Sequence, residues 1–172
     1  LIATTTIGDF DYTLRVSSRN ENDYQTSSIF AGLGDGIWVA YQPQIDVETG
    51  EIHGYEALMR LKNTKVSPAQ FIPIAEETGQ IIKIDRILTE KVVRQMAEWR
   101  EHGIPLYKVS INYSYSQVSD VHYVDFLEEL LKRYNIPPEL ICIEITESLF
   151  ISNKEAVSKL LNEFVKRGIS LA

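Results

Sequence analysis

Apolar and polar residues alternate along several short stretches of this chain, a pattern typical of β-strands. The first two such stretches cover residues 37–45 and 51–60, and Glu48-Thr-Gly50 between them is typical of a tight turn. We therefore predict that these two strands form an antiparallel pair. Further strands are predicted at residues 108–112, at residues 140–145 and from Ile169 onward.

Helices are predicted between these strands. Ser67 followed by Pro68 is a typical helix start, because Ser caps free backbone N–H groups and Pro fits the first helical turn. Gly79 ends this helix, which covers residues 69–78. Longer amphipathic helices are predicted at residues 81–101, 123–134 and 154–167. Alternating strands and helices indicate a parallel sheet with crossover helices, either an open doubly wound sheet or a barrel.

The first 25 residues differ from the rest of the chain, since residues 17–23 form a polar run. Residues 1–25 are predicted to be an extended piece and a linker, or the tail of an upstream domain, and residues 26–172 one domain. The glycines of residues 32–36 resemble a phosphate-binding loop. Such a loop opens a helix, whereas a strand follows here, so we predict a turn.

Composition limits the classes of function. The chain has 172 residues, enough for one domain with a core, whereas a complete α/β barrel takes about 250. It is 44% hydrophobic and 24% charged, as is usual for globular proteins. A net charge of -7 argues against DNA as a partner, because DNA binding needs clustered Lys and Arg.

Cysteine usage and hydropathy bear on location. Cys142 is the only cysteine, which favours a reducing, cytoplasmic setting without disulfides. No apolar run approaches the roughly 18 residues of a membrane span. We expect a cytoplasmic protein, which an upstream domain could attach to a membrane.

Polar side chains stand near the downstream ends of the predicted strands. Glu56 and Arg60 share one face of the second strand, and Asn112 and Glu144 lie near the ends of the next two. Taken singly, each has an ordinary explanation, such as a surface ion pair or a strand end. Together, oxygen ligands from neighbouring strands suit a hard cation such as Mg²⁺. These positions favour a barrel over an open sheet and predict a divalent-cation site on its rim.

Five motifs in order carry a resemblance to a known family. They are Tyr41-Gln-Pro43, Glu56-Ala-Leu-Met-Arg60, residues 67–76, Ile111-Asn-Tyr-Ser114 and Glu144-Ile-Thr-Glu-Ser148. From about Ser28 to Ala172 the chain resembles the EAL domain family, the bacterial cyclic-di-GMP phosphodiesterases. The resemblance implies an α/β fold, a partial (β/α)₈ TIM-type barrel with an antiparallel first strand and about half of the barrel present. It also implies Mg²⁺- or Mn²⁺-dependent hydrolysis of cyclic-di-GMP to linear pGpG in second-messenger signalling.

The resemblance also implies roles for particular residues. The metal ligands would be Glu56, Asn112 and Glu144. Arg60 would hold a substrate phosphate, Leu58 would lie against the bound nucleotide, and Gln42 would be a further substrate-binding residue. Glu147 would stand behind the ligands and steady a catalytic loop.

The chain departs from the family pattern in ways that bear on activity. In the family, the strand beginning at Ile169 continues into an Asp-Asp-Phe-Gly segment that completes a metal pair, and later strands bring a lysine and a glutamate that act on water. None of these segments occurs in this sequence, and residues 61–65 replace the usual stretch after the arginine. We therefore predict no catalytic residue here beyond the metal ligands, and a chain that is inactive without the C-terminal half of the barrel.

Three classes of function compete. The first is the metal-dependent phosphodiesterase. The second is a catalytically degenerate EAL domain that acts as a cyclic-di-GMP receptor or protein-interaction module, which would have less need of metal ligands. The third is an unrelated barrel enzyme that uses paired carboxylates on sugars, against which Asn112 and residues 67–76 argue. Expected partners are cyclic-di-GMP, the missing barrel half, an upstream sensor or GGDEF domain and a second copy in a homodimer.

Overall fold

The computed structural model describes residues 2–7, 10–15, 36–62, 67–145 and 154–172. Near its start, β1 (Ile2–Ile7) and β2 (Phe10–Arg15) pair antiparallel in a sheet of their own. This pair of strands lies where the sequence predicted an extended piece and a linker. The assignment of residues 1–25 to a linker or an upstream domain stays a prediction.

A second sheet contains five strands in the order in which they occur along the chain. They are β3 (Ile37–Ile45), β4 (Ile52–Leu61), β5 (Lys108–Tyr113), β6 (Ile141–Ile145) and β7 (Ser170–Leu171). β3 runs antiparallel to β4, and the other neighbours are parallel. The α-helices are α1 (Pro68–Glu77), α2 (Ile81–Glu101), α3 (Tyr123–Tyr134) and α4 (Lys154–Lys166), and 3₁₀ turns cover Tyr115–Ser119 and Pro138–Leu140.

The turn between β3 and β4 is built on Asp46. Its carboxylate accepts hydrogen bonds from the backbone N–H groups of Thr49 at 2.8 Å and Glu48 at 2.9 Å. Both bonds lower the pKa of Asp46, and the bond from Thr49 has the larger effect. Gly50 closes the turn with φ of +72°, a conformation that glycine adopts without steric cost. A connection this short allows only an antiparallel pair, as the sequence predicted.

Helix α1 begins at a reciprocal cap. The backbone N–H of Ser67 donates to Oε1 of Gln70 at 2.9 Å, and Pro68 occupies the first turn, where its missing N–H has no intrahelical partner to lose. The helix ends where the Thr78 hydroxyl donates to the carbonyl of Ile74 at 2.7 Å. These local signals explain why the predicted start at Ser67-Pro68 is correct.

The two faces of the five-stranded sheet differ in chemistry. Side chains at alternate positions of β5 and β6 are fully buried against the helices: Val109, Ile111, Ile141 and Ile143. Their partners from α2, α3 and α4 include Met96, Leu127 and Phe164. The intervening positions, which carry mostly polar side chains, face the opposite way. The sheet thus has one apolar, helix-covered face and one polar inner face.

Several element ends differ from the predictions by one or two residues. β6 begins at Ile141 rather than residue 140, because Leu140 closes a 3₁₀ turn by donating its N–H to the Pro137 carbonyl at 3.1 Å. β4 covers Ile52–Leu61 rather than 51–60, since Glu51 still belongs to the turn. The turn predicted at residues 32–36 lies, apart from Gly36, outside the described residues. Among the helices that the structure describes, none is long and apolar enough to cross a membrane.

Candidate active site

The polar face brings three predicted ligands into neighbouring positions. In the backbone register, Glu56 of β4 lies beside Ser110 of β5. Asn112 is two residues further along β5, on the same face of the strand. Asn112 lies directly beside Glu144 of β6. All three side chains therefore stand on the same face of adjacent parallel strands, as the alternation predicted.

Glu56 and Asn112 are in direct contact. The Asn112 amide Nδ2 donates a hydrogen bond of 2.9 Å to Oε1 of Glu56. Asn112 is exposed and Glu56 is half-buried, so both groups are open to a ligand from solvent. The contact leaves the Asn112 amide oxygen and the second oxygen of Glu56 free of this bond.

The third predicted ligand, Glu144, has a different partner. Nε2 of Gln44, on β3, donates a hydrogen bond of 3.2 Å to Oε1 of Glu144. Sequence reasoning missed Gln44 as a site residue. The alternation that places Gln42 on the inner face also places Gln44 there, because the two are separated by one residue.

The donor set fits a divalent cation of the Mg²⁺ type. Two carboxylates and one amide oxygen are hard oxygen ligands, the kind that Mg²⁺ and Mn²⁺ prefer. The Nδ2–Oε1 contact shows that the Glu56 and Asn112 side chains can approach one point. Within the described ranges, no group of three or more His, Cys, Asp and Glu side chains is placed to hold a metal ion. The set therefore depends on Asn112 to supply its third ligand.

The predicted substrate-binding residues lie along the same inner face. Gln42 is exposed and stands opposite Glu56 across the antiparallel pair, and Leu58 stands opposite Ala40. Arg60 stands opposite Trp38, and its Nη1 donates to the Met59 carbonyl at 2.9 Å. Glu147 lies outside the described residues, so its role stays a prediction.

The segment after β5 is fastened at two points that the sequence did not reveal. The Tyr113 hydroxyl donates to the Gln117 carbonyl at 2.9 Å, which folds the chain back just after Asn112. Nε and Nη2 of Arg86 donate to the two carboxylate oxygens of Asp120, each at 2.7 Å. The bonds from Arg86 hold the pKa of Asp120 below its usual value. Both contacts steady the strand end that carries Asn112.

Two further ionisable groups are buried near this strand. Burial raises the pKa of the Cys142 thiol, which makes a thiolate nucleophile at this position unfavourable. Asp85 of α2 is only 7% exposed, and burial, followed by the negative charge of Glu76, raises its pKa to about 8.

Comparison with known proteins decides the family. The model of the EAL domain matches residues 31–172. The chain belongs to the EAL domain family. It is 33% identical over 144 residues to a cyclic di-GMP phosphodiesterase of Pseudomonas aeruginosa, a match that covers 82% of the chain and 24% of that relative. It is 35% identical over 137 residues to the cyclic di-GMP phosphodiesterase PdeR of Escherichia coli K12, covering 78% of the chain and 20% of PdeR.

This EAL chain thus spans about a quarter or less of the length of these curated relatives. Among solved structures it is similar to the PaMucR phosphodiesterase in its cyclic-di-GMP complex, with a TM-score of 0.71 and 28% identity. That match covers 79% of this chain and 58% of the other. The predicted family and the predicted fold, a partial TIM-type barrel with an antiparallel first strand, are both confirmed.

Proposed function

We propose that this EAL chain belongs to a metal-dependent phosphodiesterase that hydrolyses cyclic-di-GMP to linear pGpG in bacterial second-messenger signalling. One observation carries the proposal: Glu56, Asn112 and Glu144 occupy adjacent positions on the inner face, with Glu56 and Asn112 in contact. Such oxygen ligands have little use in a barrel that only binds proteins. The names of the relatives and the cyclic-di-GMP complex of PaMucR support the choice of substrate.

The ligands would hold Mg²⁺ or Mn²⁺ through the carboxylates of Glu56 and Glu144 and the amide oxygen of Asn112. When bound, such a metal lowers the pKa of a coordinated water and polarises a phosphoryl oxygen. To supply its amide oxygen, Asn112 would turn its amide group and give up the Nδ2 contact with Glu56.

Arg60 and its neighbours would bind the substrate. A guanidinium carries five N–H donors in a planar fork that matches two phosphate oxygens. The bond to the Met59 carbonyl uses Nη1 of Arg60 and does not involve Nη2. Leu58 offers an apolar surface to a nucleoside, and Gln42 offers an amide beside Glu56. Together these residues would orient a phosphodiester toward the metal ligands.

The site built by the described strands is incomplete, and we propose that the chain alone is inactive. A two-metal site needs more ligands than two carboxylates and one amide supply. In the part of the chain that the structure describes, β3 and β7 are edge strands whose outer backbone groups lack a strand partner. The remaining half of the barrel would pair with both edges and add the missing ligands. A cytoplasmic location, an upstream sensor or GGDEF domain and a homodimer remain expectations.

Turnover by the full-length protein tests the proposal. Cyclic-di-GMP would be incubated with Mg²⁺ or Mn²⁺ and the wild type, Glu56→Ala, or Glu90→Ala, an exposed control on α2. We expect metal-dependent release of pGpG from the wild type and the control. We expect a loss of at least about 100-fold in Glu56→Ala, as when a catalytic group is removed. Binding of cyclic-di-GMP without turnover would contradict the proposed phosphodiesterase activity and would favour a cyclic-di-GMP receptor.

A further inference from the structure

Gln44 forms a hydrogen bond with Glu144 across the inner face of the sheet. It lies on β3, the antiparallel strand, and reaches Glu144 on β6, although β4 and β5 lie between these strands in the sheet. A side chain can span this distance only because the sheet curves and its inner face is concave. The amide nitrogen of Gln44 is the donor and Oε1 of Glu144 is the acceptor.

Gly54 of β4 makes room for this side chain. Gly54 stands opposite Gln44 in the antiparallel pair. A Cβ added at Gly54 would lie 2.9 Å from Oε1 of Gln44 and 3.0 Å from the Lys108 carbonyl oxygen. The Gln44 amide therefore lies across the bare backbone of Gly54, with its oxygen over the glycine and its nitrogen directed at Glu144. Any larger residue at position 54 would displace the amide.

The bond fixes one oxygen of Glu144. A free glutamate carboxylate rotates about its last bond with little preference, so its two oxygens exchange positions. A hydrogen bond to Oε1 selects one orientation and does not itself involve Oε2. Polar groups behind a metal ligand commonly act in this way, and their loss typically weakens metal affinity about 10- to 100-fold.

We propose that Gln44 is a positioning residue that orients the Glu144 carboxylate for metal binding. The absence of a side chain at Gly54 leaves the space that the Gln44 amide occupies. The inference rests on the proposed function, since it assumes that Glu144 is a ligand. Gln44 acts through Glu144 and touches neither metal nor substrate. Gln42 of the Tyr41-Gln-Pro43 motif would thus offer an amide to the substrate, and Gln44, directly after the motif, would offer one to Glu144.

Metal affinity of the full-length protein tests the inference directly. Mn²⁺ binding would be followed by electron paramagnetic resonance, which detects free Mn²⁺ and needs no turnover. We expect Gln44→Leu to weaken Mn²⁺ affinity by about 10-fold. Gln44→Asn should do the same, because its side chain is one methylene too short to reach. Gln95→Leu, the same change at a half-buried position of α2 that lies beside β3 on the helix-covered face, should leave Mn²⁺ affinity unchanged.

A double-mutant cycle separates positioning from a general structural effect. If Gln44 acts only through Glu144, Gln44→Leu should cause no further loss of Mn²⁺ affinity in a Glu144→Gln background. Gly54→Ala should weaken Mn²⁺ affinity to a similar degree as Gln44→Leu, and the two effects should not add. Thermal unfolding midpoints would verify that Gln44→Leu and Gln44→Asn fold normally.

Three results would overturn the inference, and they point to different errors. Equal Mn²⁺ affinity of the wild type and Gln44→Leu, with a wild type that binds Mn²⁺, would refute the role of Gln44 and leave the proposed function intact. A wild type that binds no Mn²⁺ would refute the metal site and the inference together. If the losses of Mn²⁺ affinity from Gln44→Leu and Glu144→Gln add in the double mutant, Gln44 does not act through Glu144.

Discussion

Asn112 donates a hydrogen bond of 2.9 Å to Glu56, a residue 56 positions earlier on the neighbouring strand. The contact joins an amide and a carboxylate on adjacent strands of the inner face. It predicts how position 112 tolerates change. Asn112→Leu removes the amide oxygen that would bind the metal, and we expect Mn²⁺ affinity of the full-length protein to fall at least 10-fold. Asn112→Asp keeps an oxygen and should retain more Mn²⁺ affinity than Asn112→Leu.

The Asn112→Asp variant has a further signature. Without metal, two carboxylates face each other across the strands, and like charges in contact destabilise the folded state. We expect a lower thermal midpoint than the wild type in metal-free buffer, and recovery on addition of Mn²⁺. A metal-free midpoint equal to that of the wild type would show that the two groups are not held together.

Arg86 and Asp120 should contribute measurably to stability. Their two hydrogen bonds are both 2.7 Å long, the Asp120 side chain is only 8% exposed, and the guanidinium carbon of Arg86 lies 4.8 Å from the centre of the Phe126 ring. Arg86→Lys keeps the charge but loses the planar fork, so we expect a loss of about 1–3 kcal/mol in the free energy of unfolding. Urea denaturation measures it.

A matched control is available on the same helix. Arg94 and Glu98 of α2 form an ion pair at 3.9 Å, with both side chains at least half exposed. Exposed pairs of this kind contribute little, so Arg94→Lys should change the free energy of unfolding by less than about 0.5 kcal/mol. Equal effects at positions 86 and 94 would contradict the importance of burial and bidentate geometry.

Asp85 predicts a dependence of stability on pH. Its pKa in the folded protein is raised to about 8 from an ordinary value of 3.8. The folded state therefore binds more protons than the unfolded state between these values, and stability contributed by Asp85 falls as pH rises through this window. Above about pH 8 the loss is complete and amounts to a few kcal/mol, since one pKa unit corresponds to about 1.4 kcal/mol.

Asp85→Asn tests this dependence, because an amide resembles a protonated carboxyl and does not titrate. We expect the variant to be more stable than the wild type at pH 8.5, and the difference to shrink toward pH 5. Free energies of unfolding at several pH values would be compared. A constant difference across this range would show that Asp85 does not titrate as predicted.

The aromatic cluster behind β5 should be costly to interrupt. Phe164 of α4 is fully buried, and its ring lies 5.7 Å from that of Tyr113 and 6.2 Å from that of Tyr123. Phe164→Ala leaves a cavity that rigid neighbours cannot fill, and we expect a loss of about 3–5 kcal/mol in the free energy of unfolding. The adjacent Val165 is 57% exposed, so Val165→Ala should cost far less. Urea midpoints of the two variants give the comparison.

The sequence allowed the fold and the faces of the strands to be predicted because both follow from local periodicity. A period of two places Ile111 and Ile143 against the helices and Asn112 and Glu144 on the opposite face, whatever the rest of the chain does. The resemblance to the EAL family then supplied the barrel and the roles. The roles of the ligands and of Arg60, Leu58, Gln42 and Glu147 remain predictions.

The partners of these residues could not be predicted from the sequence. The bond from Gln44 to Glu144 depends on the curvature of a sheet in which two other strands separate them. The pair of Arg86 and Asp120 depends on where α2 passes the turn after β5, which no local pattern records. Contacts of this kind require the three-dimensional arrangement of elements distant in sequence.

The tight turn that joins β3 to β4 is a suitable attachment site for a fluorescent label. It lies at the beginning of β4, whereas Asn112 and Glu144 lie toward the far ends of their parallel strands. Val47 in this turn is 96% exposed, and the chain's single native cysteine, Cys142, is buried. A fluorophore attached through Val47→Cys would therefore stand at the end of the strands opposite the predicted ligands and would not obstruct them.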